Sequence, residues 1–290
     1  RVDFNHLLEL VDDETAGMML TQPNTLGLFE NQIEKISNLI HSKDALMYMD
    51  GANLNALVGM ASPGKMGFDI THINTHKTFS TPHGGGGPGA GPVAVNNKLA
   101  SYLPNPIIDF KNDKYCFVNL EKSIGRLHSF YGNFGVLIRA YVYILSHGKE
   151  FLKDISTNAV LNANYLKTLL MKKYDVPFSQ GTLHEFVISA NKQKQKGIKA
   201  LDIAKNLLDD GFHAPTIYFP TNVPESIMIE PTETETKETL DKFVSAMNDI
   251  DNLIGVNIEK LKNAPYNTPV RKLNETKANR ELDLNWNIKK

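Results

Sequence analysis

Short apolar runs alternate with amphipathic stretches through the first hundred residues, and each run stops at a turn signal. Residues 16–20 (AGMML) end in TQPNT. Leu28, Ile33, Ile36, Leu39 and Ile40 then recur at roughly helical spacing. Residues 45–49 (ALMYM) end in DGAN, residues 68–73 form a further strand candidate, and GPVAV at 91–95 follows a run of glycines. The order β-α-β-(short α)-β-β is the grammar of an α/β fold, a mostly parallel sheet covered by helices. Ligands of such sheets sit beyond the carboxyl ends of the strands. Asp50 and Lys77 both fall there.

The second half changes character. From about Ser123 the pattern turns helical, with Leu137, Ala140, Tyr141 and Ile144 on one face. Ala159, Ala163, Leu166 and Leu170 fit the face of a second helix. After about Tyr174 a smaller α+β pattern follows: strand candidates at 184–190 and 226–230, and helices at 198–208 and 234–254. The tail from Lys272 is polar and is expected to be loosely held. Cys116, in the strand-like run YCFVNL, reads as a small core residue.

Composition narrows the function classes. The 290 residues carry a net charge of −1 with 22% charged residues, which gives no electrostatic reason to expect nucleic acid or an anionic membrane. One cysteine excludes an intrachain disulfide and suits a reducing compartment. No apolar run reaches the roughly 18–20 residues of a membrane helix, and no signal peptide is visible. The chain starts at Arg1, directly in a helical pattern, as expected of a segment of something longer.

The densest chemistry lies in THINTHKTFSTPHGGGGPGAGP at 71–92. His72 and His76 would suit a metal on a helix, but on a strand four residues span about 13 Å, too far for one ion. A phosphate-cradling P-loop needs lysine after its last glycine, and here Lys77 precedes them. A third reading makes Lys77 the covalent anchor of pyridoxal phosphate, whose ring nitrogen calls for a carboxylate such as Asp50. Spacing alone leaves this reading beside a plainer one, a solvated loop lysine and a DG turn.

The residues say more than their spacing. DGANLNALVG (50–59), PGKMGFD (63–69), HINTHKTFSTPHGGGGPGAGP (72–92), TQPNTLGLFE (21–30), SIGRLHSFYGN (123–133), LHEFV (183–187), GFHAPTIYFP (211–220), IEPTETETKETL (229–240) and NAPYNTPVR (263–271) together resemble glycine decarboxylase, the pyridoxal-phosphate-dependent P-protein of the glycine cleavage system. The likeness covers nearly the whole chain. SFYGN, LNA and MGFD resemble the second, lysine-bearing subunit of the two-subunit bacterial form. The resemblance implies a fold-type I pyridoxal-phosphate-dependent transferase fold. A large cofactor-binding domain at 1–150 would lack its N-terminal part, and a small α+β domain would span 151–290. It implies Lys77 as the catalytic Schiff-base lysine, Asp50 on the pyridine nitrogen and Ala52 against a ring face. Thr21 and Asn24 would lie near the ring substituents, and Asn74 and His76 would border the cofactor from the lysine side. No metal is implied.

The implied reaction is decarboxylation of glycine, with transfer of the aminomethyl group to the lipoyl arm of H-protein. The implied partners are that carrier and the first P-protein subunit. The implied compartment is the bacterial cytoplasm, or the mitochondrial matrix in a eukaryote. Other fold-type I enzymes, and a non-catalytic fragment, are the competing readings. Gly84–87, Gly89 and Gly91 are expected to line or gate the lipoyl channel, with Gly86 as the test position. Glu230, Thr232 and Glu233 either line the site or introduce a helix, with Thr232 and Glu235 as a capping box. Arg126 and Arg139 are candidates for anion contacts. Departures from the family pattern are Gln22 for asparagine, Thr75 for an apolar residue and Lys65 for an acidic one. The family's phosphate-holding turn and its second ring-stacking imidazole lie upstream of the point matching Arg1.

Overall fold

The computed structural model describes residues 1–85 and 89–285. The expectation at Gly86 lies outside these residues. The chain forms two compact units. One comprises Arg1–Tyr165, Phe178–Phe186 and Glu230–Glu235; the other comprises Leu166–Pro177, Val187–Ile229 and the described residues of Thr236–Lys290.

The first unit is built on a four-stranded sheet in the order β1-β2-β3-β4. Its strands are β1 (Gly17–Thr21), β2 (Leu46–Gly51), β3 (Ile70–Ile73) and β4 (Val93–Val95). β1, β2 and β3 run parallel, and β4 closes antiparallel on β3. The helix α1 (Phe4–Leu10) precedes β1, and α2 (Ile33–His41) crosses from β1 to β2. Ile33, Ile36 and Ile40 of α2 are buried with Met47 and Met49 of β2 and Phe68. Fully burying a side chain of this size stabilises by about 1.5–3 kcal/mol. Leu28 lies outside the helix and bridges Thr182 instead.

Helical geometry begins later than the pattern suggested. α3 (Thr75–Thr78) is a single turn after β3, and α4 spans Phe134–Leu170 with a break at Gly148. The break separates the two helices that the periodicity called for. Ala159, Ala163, Leu166 and Leu170 are buried as one stripe, as expected. Before the break the buried stripe is Val136 and Ala140, whereas Leu137 and Tyr141 face outward. Ala140 therefore lies on the expected face, with Val136 beside it in place of Leu137 and Tyr141.

Between the sheet and α4 lies a hairpin of β5 (Ile107–Lys111) and β6 (Lys114–Val118). Cys116 sits on this hairpin, half-buried, and is not a core residue. A two-stranded ribbon has no second layer here, so Ile108, Phe110, Tyr115 and Phe117 stay exposed.

The second unit holds a three-stranded sheet, ordered β7 (Phe186–Ser189), β9 (Ser226–Ile229) and β8 (Thr216–Ile217). Its helices are α5 (Asn191–Gln195), α6 (Ala200–Asp209), α7 (Lys237–Leu253), α8 (Ile258–Lys262) and α9 (Glu275–Arg280). Ile203 and Leu207 of α6 and Met247 of α7 are fully buried, and Tyr174 OH donates to Met247 O at 2.9 Å. α7 begins two to three residues later than expected. Its N-cap is Thr236, whose hydroxyl accepts from the Thr239 N–H, so the capping box assigned to Thr232 and Glu235 is corrected. Thr232 instead shares a hydroxyl–hydroxyl hydrogen bond with Thr234.

Candidate active site

Period-two alternation sorts β2 into two faces. Met47 and Met49 point into the core, which leaves Tyr48 and Asp50 together on the other side. Strand register then pairs Thr21 with Asp50, and Asp50 with His72. Three adjacent parallel strands thus place Thr21, Asp50 and His72 in one row at their carboxyl ends. Thr21 Oγ1 donates to Asp50 Oδ2 at 3.2 Å. The Ala52 N–H donates to Asp50 Oδ1 at 2.9 Å, and His72 Nε2 lies 3.1 Å from the same oxygen. His72 Nδ1 is in turn 2.9 Å from the Tyr48 hydroxyl.

The sheet can close at this level only because residue 51 is glycine. A Cβ there would sit 2.1 Å from the His72 carbonyl oxygen.

One strand over, Asn74 caps the single turn of α3, and Lys77 projects from it with its side chain exposed. Asn74 Oδ1, His76 Nδ1 and Thr78 Oγ1 are buried without a hydrogen-bond partner. His76 is off the strand, so the strand-based spacing from His72 does not apply. Its ring packs against that of His83 with centroids 4.6 Å apart. Burial, then the charges of His83 and Lys77, hold the His76 imidazole below its ordinary range. Among the described residues no group of three or more His, Cys, Asp or Glu side chains is arranged to hold a metal.

The TQPNTLG loop forms the near wall. Asn24 Oδ1 accepts from the Leu26 and Leu28 N–H groups at 3.0 and 3.1 Å, so this side chain folds its own turn. The substituted Gln22 is fully buried and clasps the backbone of Glu30 in both directions, at 3.0 and 3.4 Å. Gly27 closes the loop at φ +72°, where an added Cβ would meet the Glu185 carbonyl oxygen at 1.8 Å.

A second set of side chains gathers around the lysine. Asn53 Nδ2 donates to the Pro23 carbonyl at 3.0 Å and to Glu185 Oε1 at 3.2 Å. Asn55 Nδ2 donates to Glu230 Oε1 at 3.2 Å, and Ser156 Oγ fixes Asn55 through its carbonyl at 2.7 Å. His184 is fully buried, with Nε2 3.6 Å from Glu185 and 3.8 Å from Glu230. Those separations would suit ion pairs, but neither ring nitrogen makes a hydrogen bond. Burial wins: it pushes the imidazole down to about 3, helped by the charge of Lys77. Burial also raises Glu185 well above the usual carboxylate range, and the neighbouring Glu230 adds to the rise while Lys77 opposes it. The Glu230 carboxyl shifts up as well, chiefly by desolvation, although one edge of the side chain stays open. Next to these, Tyr143 OH donates to Glu233 Oε1 at 2.8 Å.

The sequence therefore placed Lys77, Asp50, Thr21 and Ala52 on neighbouring elements, and left Glu230 and Glu233 open between lining the site and introducing a helix. It assigned no role to Tyr48, His72, Asn53, Asn55, His184 or Glu185. Alternation along β2 plus a parallel register with β3 was the available signal for Tyr48 and His72. Arg126, a candidate for anions, spends one N–H on the Phe130 carbonyl at 2.5 Å and lies over the Tyr131 ring.

Residues 2–119 match the family model for the glycine cleavage system P-protein, and residues 155–274 match that for the glycine dehydrogenase C-terminal domain. Over these two stretches the chain resembles the glycine cleavage system P-protein family. Among P-proteins it is 52% identical to glycine dehydrogenase (decarboxylating) subunit 2 of Chloroherpeton thalassium, over 99% of this chain and 59% of that protein. It is 53% identical to the Bacillus licheniformis subunit 2, over 98% of this chain and 59% of the relative. The chain thus spans about three fifths of the length of these relatives. Among solved structures, an inhibitor-bound glycine decarboxylase (P-protein) superposes with a TM-score of 0.68 at 21% identity, covering 82% of this chain and 56% of that one. An apo cysteine desulfurase from Thermococcus onnurineus NA1 gives 0.66 at 13% identity, covering 87% and 64%. At these identities the likeness is one of fold, and the fold is that of the fold-type I pyridoxal-phosphate enzymes.

Proposed function

We propose that this chain is the lysine-bearing part of a glycine decarboxylase, holding pyridoxal phosphate on Lys77 and passing an aminomethyl group to a lipoylated carrier protein. Residues 1–150 would carry the cofactor, and 151–290 would form the small domain. The observation that carries this reading is the donor row around Asp50. A carboxylate held by Thr21 and Ala52, with His72 Nε2 3.1 Å away, is organised to face a positively charged ring nitrogen. The unpartnered Asn74 Oδ1 and His76 Nδ1 beside Lys77 are further polar atoms that a bound group can satisfy.

When bound, the cofactor supplies an electron sink for the bond to the departing carboxyl carbon. The chain's own residues supply the rest. Asp50 Oδ1 and Oδ2 would keep a proton on the ring nitrogen. Thr21 and Ala52 hold that carboxylate in one orientation. Ala52 would lie against a ring face, with Asn24 on the loop near the ring substituents. Lys77 Nζ would be the anchoring amine, released and recaptured in each turnover. His184, whose imidazole burial holds down at about 3, adds no second positive charge beside the lysine. Exposed Phe110, Tyr115 and Phe117 on the hairpin, with Leu137 and Tyr141 on α4, offer an apolar surface for a protein partner. That surface supports assembly with a first P-protein subunit. No described helix is long and apolar enough to cross a membrane; with bacterial relatives, the proposed setting is the cytoplasm.

The test is exchange of the glycine carboxyl with labelled bicarbonate, measured with the first subunit and lipoylated carrier present. Exchange that needs this chain, and is lost in Lys77→Ala, is the expected result. Exchange unaffected by Lys77→Ala would contradict it.

A further inference from the structure

Tyr48 and Asp50 share a face of β2, and His72 lies on β3 opposite Asp50. The three form a chain of contacts: Tyr48 OH to His72 Nδ1 at 2.9 Å, then His72 Nε2 to Asp50 Oδ1 at 3.1 Å. The Tyr48 and His72 rings are tilted, with centroids 5.7 Å apart. An imidazole with one acceptor neighbour and one donor neighbour has a defined tautomer. Asp50 can only accept when ionised, so Nε2 must carry a hydrogen. Nδ1 is then free to accept, and the Tyr48 hydroxyl can donate to it.

The geometry points to Tyr48 and His72 as positioning residues for Asp50. Tyr48 donates to His72 Nδ1, which reinforces the Nε2–H tautomer that Asp50 selects. That N–H in turn keeps the Asp50 carboxylate aimed at the ring site. This inference rests on the cofactor reading for what Asp50 faces, but the relay itself is a property of the chain alone. Burial, with the negative charge of Asp50, raises the Tyr48 phenol above its ordinary value, so the hydroxyl keeps its proton and remains a donor. Asp50 accepts hydrogen bonds from Thr21 and Ala52, and His72 Nε2 stands 3.1 Å from Oδ1 with Tyr48 behind it. The arrangement also explains why a tyrosine stands in an otherwise methionine-rich strand. An apolar residue at 48 would leave Nδ1 without a donor and the ring held from one side only.

The test has two arms. In the first, histidine nitrogen NMR is recorded on the cofactor-free chain at pH 7.5. The expected signal for His72 is a neutral ring, protonated at Nε2, with Nδ1 shifted by an accepted hydrogen bond. In Tyr48→Phe that Nδ1 shift is lost. A doubly protonated or Nδ1–H ring in the native chain, or an unchanged spectrum in Tyr48→Phe, overturns the relay. In the second arm, pyridoxal phosphate is titrated into variants and followed by its visible absorption band. His72→Leu is expected to bind roughly tenfold or more weakly, the range of a hydrogen bond to a charged group. His72→Gln, whose amide nitrogen reaches the Nε2 position, restores most of the affinity. Equal affinities in His72→Leu and the native chain overturn the positioning role. No band in the native chain with its partner subunit would count against the cofactor reading, while the NMR arm still decides the relay.

Discussion

The imidazole of His184 comes within 3.6 Å of the Glu185 carboxyl in a buried setting, and burial lowers the pKa of the first while it raises that of the second. Their linkage to stability has opposite signs. Glu185 has its folded pKa raised, so its proton is lost first from the unfolded chain. Its contribution falls as pH rises from 4.5 through the folded value. His184 has its folded pKa lowered to about 3, so its contribution falls as pH drops from 6.5 toward that value.

Glu185→Gln isolates the first effect. The amide oxygen still accepts from Asn53 Nδ2, but the group can no longer ionise. The variant should resist urea better than the native chain at pH 8. The two should converge near pH 4.5, where native Glu185 keeps its proton. Parallel stability–pH curves for the two proteins would contradict the raised pKa.

Asp69 ties the opposite end of the sheet. Its carboxylate accepts from the Met47 N–H at 2.8 Å and from Asn96 Nδ2 at 2.6 Å, and meets His41 Nε2 at 2.8 Å. Asp69→Ala strands the buried Met47 N–H and is expected to cost about 2–4 kcal/mol. Urea unfolding measures this directly. A loss below the roughly 0.5 kcal/mol typical of surface substitutions would contradict it.

Gly27→Ala should destabilise by about 2 kcal/mol or more, because the residue needs positive φ and the Cβ collides with the Glu185 carbonyl. Gly64→Ala is the control. Its Cβ would meet nothing within 4 Å, and its φ is not in the left-handed region, so a change within about 0.5 kcal/mol is expected. Thermal unfolding of the pair separates a specific close approach from a general intolerance of alanine.

Apolar alternation and turn chemistry were enough to find β1, β2, β3 and α2, because each element's buried face is written in its own few residues. Lys77 and Asp50 were legible because each follows such a run directly. The first half of α4 was legible only in part: Ala140 was placed on the buried face, but Val136 offers no stronger apolar signal than Leu137 and Tyr141, and only packing decides between them. His72 escaped notice because its role depends on strand register, which the sequence does not state. Glu185 looked like an ordinary charge within LHEFV. Its raised pKa follows from burial and from Glu230, 45 residues away in sequence (230 − 185). The start of α7 was missed because Thr232 and Thr236 both offer a hydroxyl followed by suitable partners, and only the latter meets the helix.

The central claim is that Lys77 carries the cofactor. The direct measurement is borohydride reduction of the chain after incubation with pyridoxal phosphate, with its partner subunit present, followed by peptide mass mapping. A pyridoxyl adduct on the peptide containing Lys77, absent from Lys77→Ala, is the predicted result. An adduct spread over several lysines, or one that persists in Lys77→Ala, would contradict the account.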